Sequence, residues 1–214
     1  MNIHSVALTA VHRKARATQP DAAPASKRDA ILRAAIDVFA ERGYFNAQVA
    51  DVARVAGVAA GTVYLYYKNK DHLLVSIFER SMRDGLEAGR SSVADLDDPG
   101  ERLRRLARSH LARLGADRKL AIVFQVELRQ STKFMERFSA TLLRDYLGLI
   151  REAIADGQRD GVFRTDIKPT VAAKMLFGAL DEMATNWILS KRRYSLEADA
   201  DAVVDLFING ARAR

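Results

Sequence analysis

The chain has 214 residues, no cysteine, a formal net charge of +7 and 49% hydrophobic residues. That length supports one large domain or two modest ones around a buried core. Without cysteine there is no disulfide, thiolate metal site or cysteine nucleophile, which suits a reducing cytoplasm, and no apolar run approaches a membrane span or a secretory signal. The positive charge predicts attraction to a polyanion. It is spread, +4 over residues 1–90 and +3 over the remainder.

Residues 1–25 read as a basic N-terminal extension. Ile3, Val6, Ala7, Ala10 and Val11 have helical spacing, and His12, Arg13, Lys14 and Arg16 follow. Residues 19–24, with two prolines, read as a linker. Two readings stay open: a disordered tail, or a basic arm lying along nucleic acid. The first domain helix is predicted over 26–42. Ser26 can cap it, Ile31, Ala34, Ala35, Val38 and Phe39 form its inward stripe, and Gly43 ends it.

The stretch 48–67 reads as a helix-turn-helix. Val49, Val52, Ala53 and Ala56 share one face of a short helix, and Gly57 supplies the positive φ that a tight turn needs. Val63 and Tyr67 then form the inward line of a second helix, which begins with almost no bulk at Ala59, Ala60, Gly61 and Thr62. Small residues there allow close approach to a major-groove edge, and the flanking Tyr64, Tyr66, Lys68 and Lys70 suit phosphates. Leu65 points outward on this wheel.

The run Gly57, Gly61, Val63, Tyr64, Tyr66, Tyr67, Asn69 and Lys70 resembles the recognition-helix motif of the TetR family. The resemblance implies an all-α fold, with an N-terminal three-helix helix-turn-helix domain and a C-terminal helical domain for ligand binding and dimerisation. It implies that Gly61, Thr62, Tyr64 and Tyr66 sit on DNA, that Tyr67 is core, and that Lys70 meets a phosphate. Gln48 stands where members of the family often have a threonine touching a phosphate. Ala59 and Ala60 replace the serine or lysine often found there, leaving Ala60 a thymine methyl as its base contact.

A long helix is predicted over 70–92, with Leu73, Leu74, Ile77, Phe78 and Met82 inward. It leads away from the DNA module and links it mechanically to the rest. Residues 95–100 mark a loop, so the domains are read as 26–90 and 91–214. An amphipathic helix over 101–115 carries His110 on its apolar face, expected as a hydrogen-bonded interior histidine. Its arginines read either as a solvated face or as the rim of an anion pocket. The segment 119–131 is apolar nearly all round, so it should be buried. Gln125, Glu127, Arg129 and Gln130 interrupt it, as mutual partners or as groups awaiting a ligand. Helices follow over 133–160, 169–189 and 196–211. The last two carry more apolar surface than one core needs, which suggests a partner surface.

The runs LAIVFQVELRQST and GALDEMATNWIL, with Tyr194, Ser195 and Leu196, are similar to the FadR-type members of that family, repressors of fatty-acid degradation released by long-chain acyl-CoA. This likeness implies a repressor of palindromic double-stranded operator DNA, a homodimer through its last two helices and a small-molecule effector. It points to Gln125, Arg129 and Trp187 as effector contacts, with Arg118 or Lys119 near CoA phosphates. Gly178, Ala179, Val203 and Phe207 are placed in the dimer interface. The rival reading is a drug-efflux repressor sensing lipophilic cations through Glu127, Asp181 and Glu182. No catalytic residue, cofactor or metal site is expected, because neither a phosphate loop nor a nucleophile–base pair can be found by spacing.

Overall fold

The structure, a computed structural model, describes residues 26–127, 129 and 141–212. The extension 1–25 and the predicted helical residues 133–140 lie outside these, as do Leu128, Gln130 and Ser131. Nine α-helices are found among the described residues: α1 (Lys27–Arg42), α2 (Val49–Ala56), α3 (Ala60–Tyr66), α4 (Lys70–Val93), α5 (Pro99–Ala116), α6 (Arg118–Ile122), α7 (Leu142–Arg159), α8 (Pro169–Leu189) and α9 (Ala200–Ala211). One bridge, between Phe163 and Arg212, is the β-type pairing among them. No single described helix is long and apolar enough to cross a membrane.

Each boundary has a local cause. The Ser26 hydroxyl accepts from Asp29 N at 3.2 Å, and Asn69, Asp98 and Asp117 cap α4, α5 and α6 with side-chain oxygens. Pro99 and Pro169 occupy first turns, where a missing N–H costs nothing. Gly57, at φ 68° and ψ 31°, ends α2, and Val58 N reaches back to Ala53 O at 3.0 Å. The chain therefore turns by 100° between α2 and α3.

Two apolar clusters form. One unites α1 to α4 around Phe39, Val52, Val63, Tyr67, Leu73 and Leu74. The other unites α5, α7, α8 and α9 around Leu103, Leu111, Ile150, Leu176 and Leu180. Helix α4 enters both, with Met82 and Leu86 packed against the second. Gly85 on α4 leaves room for the Arg113 guanidinium, which lies 3.5 Å from where a Cβ would stand.

The predicted helix over 119–131 is not one helix. After α6 the chain widens into a π-helical turn, Val123–Glu127. The turn serves several directions at once. Val123 is fully buried in the first cluster, while Gln125 and Glu127, both buried, bond to α8 and to the turn after α1 respectively. Val123 and Glu127 face the DNA module while Gln125 faces α8, and π turns of this kind often mark functional positions. The segment 196–211 likewise splits, into a 3₁₀ turn Leu196–Asp199 and α9.

Candidate DNA-reading face and effector cavity

Helix α3 presents a nearly bare surface. Ala60, Gly61, Tyr64, Leu65 and Tyr66 are exposed, Thr62 is half-buried, and Val63 and Tyr67 are buried beneath them. Gln48 is exposed at the N-cap of α2, its backbone N–H held by Asp51 at 3.2 Å. Phe45, 64% exposed, sits in the loop just before it and was not singled out by sequence reasoning.

Lys70 requires correction. Its ammonium donates to the carbonyls of Tyr44 at 2.8 Å, Phe45 at 3.1 Å and Ala47 at 3.0 Å, and lies 4.5 Å from the centre of the Tyr44 ring. An ammonium has three protons, and all three are used. Lys70 is a clamp holding the loop before α2 to the first turn of α4, assisted by the Tyr44 hydroxyl on Asp71. It has no proton left for a phosphate.

In the second half, α4, α5, α7 and α8 surround a cavity of about 220 Å³. Met82, Leu114, Leu120, Phe124, Leu143 and Phe177 supply its apolar wall. His110, Gln125, Arg129 and Asp181 supply polar points. Gln125 donates to Asp181 at 3.0 Å and accepts from the Thr185 hydroxyl at 3.2 Å, while Arg129 pairs with the other Asp181 oxygen. Gln125 and Arg129 both line the cavity, already joined to a carboxylate. The His110 Nδ1 lies 3.1 Å from the Tyr146 hydroxyl, the interior hydrogen bond expected of it. That His110 also faces a void, beside Tyr146 and Phe177, was not foreseen. Its partners lie 36 and 67 residues along the chain.

The other effector residues read from sequence fall elsewhere. Trp187 is buried away from the cavity, with its indole N–H on Tyr194 O at 3.0 Å. Arg118 stacks on its ring, centroid 4.9 Å away, and donates to Ile188 O and Ser190 O at the end of α8. Lys119 pairs with Glu41 at 2.7 Å and Asp37 at 3.1 Å on α1. Four of the five arginines of α5 are engaged too: Arg102 with Asp156, Arg104 with Asp205, Arg108 with Asp201, and Arg113 with Ser81 O, while Arg105 is exposed. Helix α5 is stapled to its neighbours, and of these arginines Arg113 lines the cavity, with its guanidinium on Ser81 O.

The π turn connects this cavity to the DNA module. Phe124 lines the cavity and meets Phe78 edge-on, ring centres 4.6 Å apart. Glu127 accepts the Tyr44 backbone N–H at 2.6 Å in a buried bond. A charge-assisted bond of this kind contributes about 1.5–3 kcal/mol. The half-exposed pairs around it, Lys119 with α1 and Arg33 with Asp117, contribute at most about 1 kcal/mol each. Burial tends to raise the Asp37 pKa, but Arg33 and Lys119 outweigh it and hold the carboxyl below its ordinary value. Among these polar ties the strongest is therefore the one that runs from the π turn to the loop clamped by Lys70, beside the continuous helix α4.

Residues 31–77 match the family described as "Bacterial regulatory proteins, tetR family", and residues 78–210 match "YsiA-like protein, C-terminal region". The chain is a TetR-family regulator. It is 34% identical over 180 residues to the fatty acid metabolism regulator protein of Bacillus subtilis (strain 168), covering 84% of this chain and 93% of that one. The fatty acid degradation regulator FadR of Bacillus halodurans superposes with a TM-score of 0.82 at 39% identity, over 90% of this chain and all of that one. FadR of Bacillus subtilis, solved in complex with stearoyl-CoA, superposes with a TM-score of 0.80 at 34% identity, over 86% and 98%. The TetR-family assignment makes this a DNA-binding transcription regulator and not an enzyme.

Proposed function

We propose that this regulator represses fatty-acid metabolism genes as a homodimer on palindromic operator DNA and is released by long-chain acyl-CoA. The observation that carries the reading is the apolar cavity whose wall, the π turn, is bonded directly to the DNA module. The relative solved with stearoyl-CoA supports the choice of ligand. Each methylene buried against such a wall contributes about 0.8 kcal/mol before losses, so affinity rises with chain length until the cavity ends.

The nucleotide end of the ligand needs cations, and the α5 arginine on the cavity wall, Arg113, already donates to Ser81 O. Leu143 lines both the cavity and a neighbouring groove of about 360 Å³ that carries Arg144, Arg151 and Lys174. Among the described residues, Arg144 and Arg151 make long pairs to their sequence neighbours, at 3.7 and 3.6 Å. This groove is the better place for the phosphates. A lipophilic cation would instead need a spare carboxylate. Asp181 is neutralised by Arg129, Glu127 is spent on Tyr44 N, and Glu182 accepts from Asn186.

On DNA, Gln48, Ala60, Gly61, Thr62, Tyr64 and Tyr66 make the contacts from the exposed face of α2 and α3. Ligand binding favours a π-turn arrangement that shifts the Tyr44 loop and α4, so that paired recognition helices no longer match the operator. Coupling of this sort is typically about 1–3 kcal/mol and is reciprocal, so operator DNA weakens ligand binding by the same factor. Calorimetry with CoA esters of graded length and with free CoA, combined with gel-shift titration, tests it. Failure of every long-chain ester to bind, or binding with unchanged operator affinity, overturns the reading.

A further inference from the structure

Among the described side chains, one buried polar atom has no hydrogen-bond partner: Nε2 of His110. It belongs to the cavity wall, where Met82, Leu114 and Phe177 are its apolar neighbours. The Phe177 ring stands edge-on to the imidazole, centres 5.6 Å apart. Leaving a buried polar atom unpaired is costly, so such an atom facing a void calls for an explanation.

The protonation state follows from the surroundings. Burial pushes the His110 pKa down to about 4; Asp181 opposes this and Arg113 adds to it. The ring is therefore neutral near pH 7 and owns one N–H and one lone pair. Burial also raises the Tyr146 pKa, so its hydroxyl keeps its proton. The Tyr146 hydroxyl has no other hydrogen-bond acceptor among the described residues, so its proton is assigned to Nδ1, which leaves the ring hydrogen on Nε2. His110 then offers the cavity a buried N–H donor without a partner, set among apolar side chains. Its complement is an acceptor atom on an otherwise apolar part of a ligand. The Gln125, Arg129 and Asp181 cluster differs in kind, since it is a charged group tied together through the Asp181 carboxylate.

We propose that the His110 Nε2–H donates a hydrogen bond to the thioester carbonyl oxygen of the bound acyl-CoA and so fixes where the acyl chain enters the cavity. The inference rests on the acyl-CoA reading above and adds a residue that recognises the acyl carbonyl as distinct from the hydrocarbon.

The test compares stearoyl-CoA with S-octadecyl-CoA, a thioether of similar length that lacks the carbonyl oxygen, by calorimetry on the full chain. Wild-type protein is expected to prefer the thioester about tenfold, the size of one buried hydrogen bond. His110→Phe should bind both ligands equally, whatever its overall affinity. His110→Gln, which keeps an amide donor and guards against a Phe variant that does not fold, should retain part of the preference. A variant that merely loosens the cavity weakens both ligands and leaves their ratio unchanged. No preference in the wild type, or the same preference in His110→Phe, overturns the assignment. If the wild type binds neither ligand, the acyl-CoA reading itself falls, a result distinct from equal binding of both.

Discussion

Lys70 illustrates how a motif residue acquires a different task from the one its charge suggests. Its three protons lie on the carbonyls of Tyr44, Phe45 and Ala47. Lys70→Met should lower folding stability by about 1.5–3 kcal/mol and weaken operator binding by misplacing α2. The slope of log affinity against log salt should stay the same. The exposed Lys68 offers a contrast: if it meets a phosphate, Lys68→Met reduces that slope by about 0.9. Filter binding across a salt series separates the two. His110 supplies a second measurement. Its native pKa of about 4 lies below the ordinary 6.5, so below pH 6.5 the unfolded chain binds a proton that the folded chain refuses. Stability from this group is complete above pH 6.5 and declines as pH falls towards 4, by roughly 3 kcal/mol in all. Urea denaturation of wild type and His110→Gln at several pH values should show a shallower acid decline in the variant, with the carboxylates common to both. Residues of this kind mark the limit of reading from sequence. Val63, Tyr67 and Leu65 were assignable because helical period alone decides which way they point. Arg118 and Lys119 were not, because their partners Ile188 and Glu41 are set by how distant helices dock, and Trp187 was not, because the loop after α8 folds back to bring Tyr194 O onto its indole.

Helices α1 to α5 were legible because each carries its own start and stop: Ser26, Gly43, Gly57, Asn69 and Pro99 act locally. The π turn was not. Its apolar run without period announced burial, and its polar insertions announced partners, but nothing in 119–131 says that the partners lie on opposite sides. Glu127 should be the clearest probe of what that division does. Glu127→Gln keeps the shape and removes the charge that strengthens the bond to Tyr44 N. Ligand affinity in the absence of DNA should change little. The loss of operator affinity on saturating stearoyl-CoA should shrink several-fold, measured by fluorescence anisotropy of labelled operator. An unchanged response would move the coupling to α4 alone.

For the whole molecule, the exposed apolar residues are distributed unevenly. Met175, at 61%, and Leu206, at 79%, stand out on α8 and α9, beside exposed Gly178, Ala179 and Gly210. Nothing lies within 4 Å of a Cβ built on Gly178. Val203 and Phe207 are partly buried against the second cluster, so they support this face more than they form it. A second copy of the chain is the occupant the fold class suggests. Leu206→Glu should convert the assembly to monomer at micromolar concentration, because an unpaired charge resists desolvation. Light scattering after size exclusion measures it. A wild-type monomer would remove both the interface and the expectation of a palindromic site.

The chain has one tryptophan. Trp187 is buried near the end of α8, with a guanidinium against its face and a carbonyl on its N–H. Six residues earlier the same helix carries Asp181 into the cavity wall. Intrinsic emission from the unlabelled protein is thus a single-site signal, uncomplicated by overlapping indoles. A ligand that disturbs the Gln125, Arg129 and Asp181 cluster must transmit the change along α8 to reach that fluorophore. The native chain therefore carries its own optical reporter of effector occupancy, separated from the DNA face.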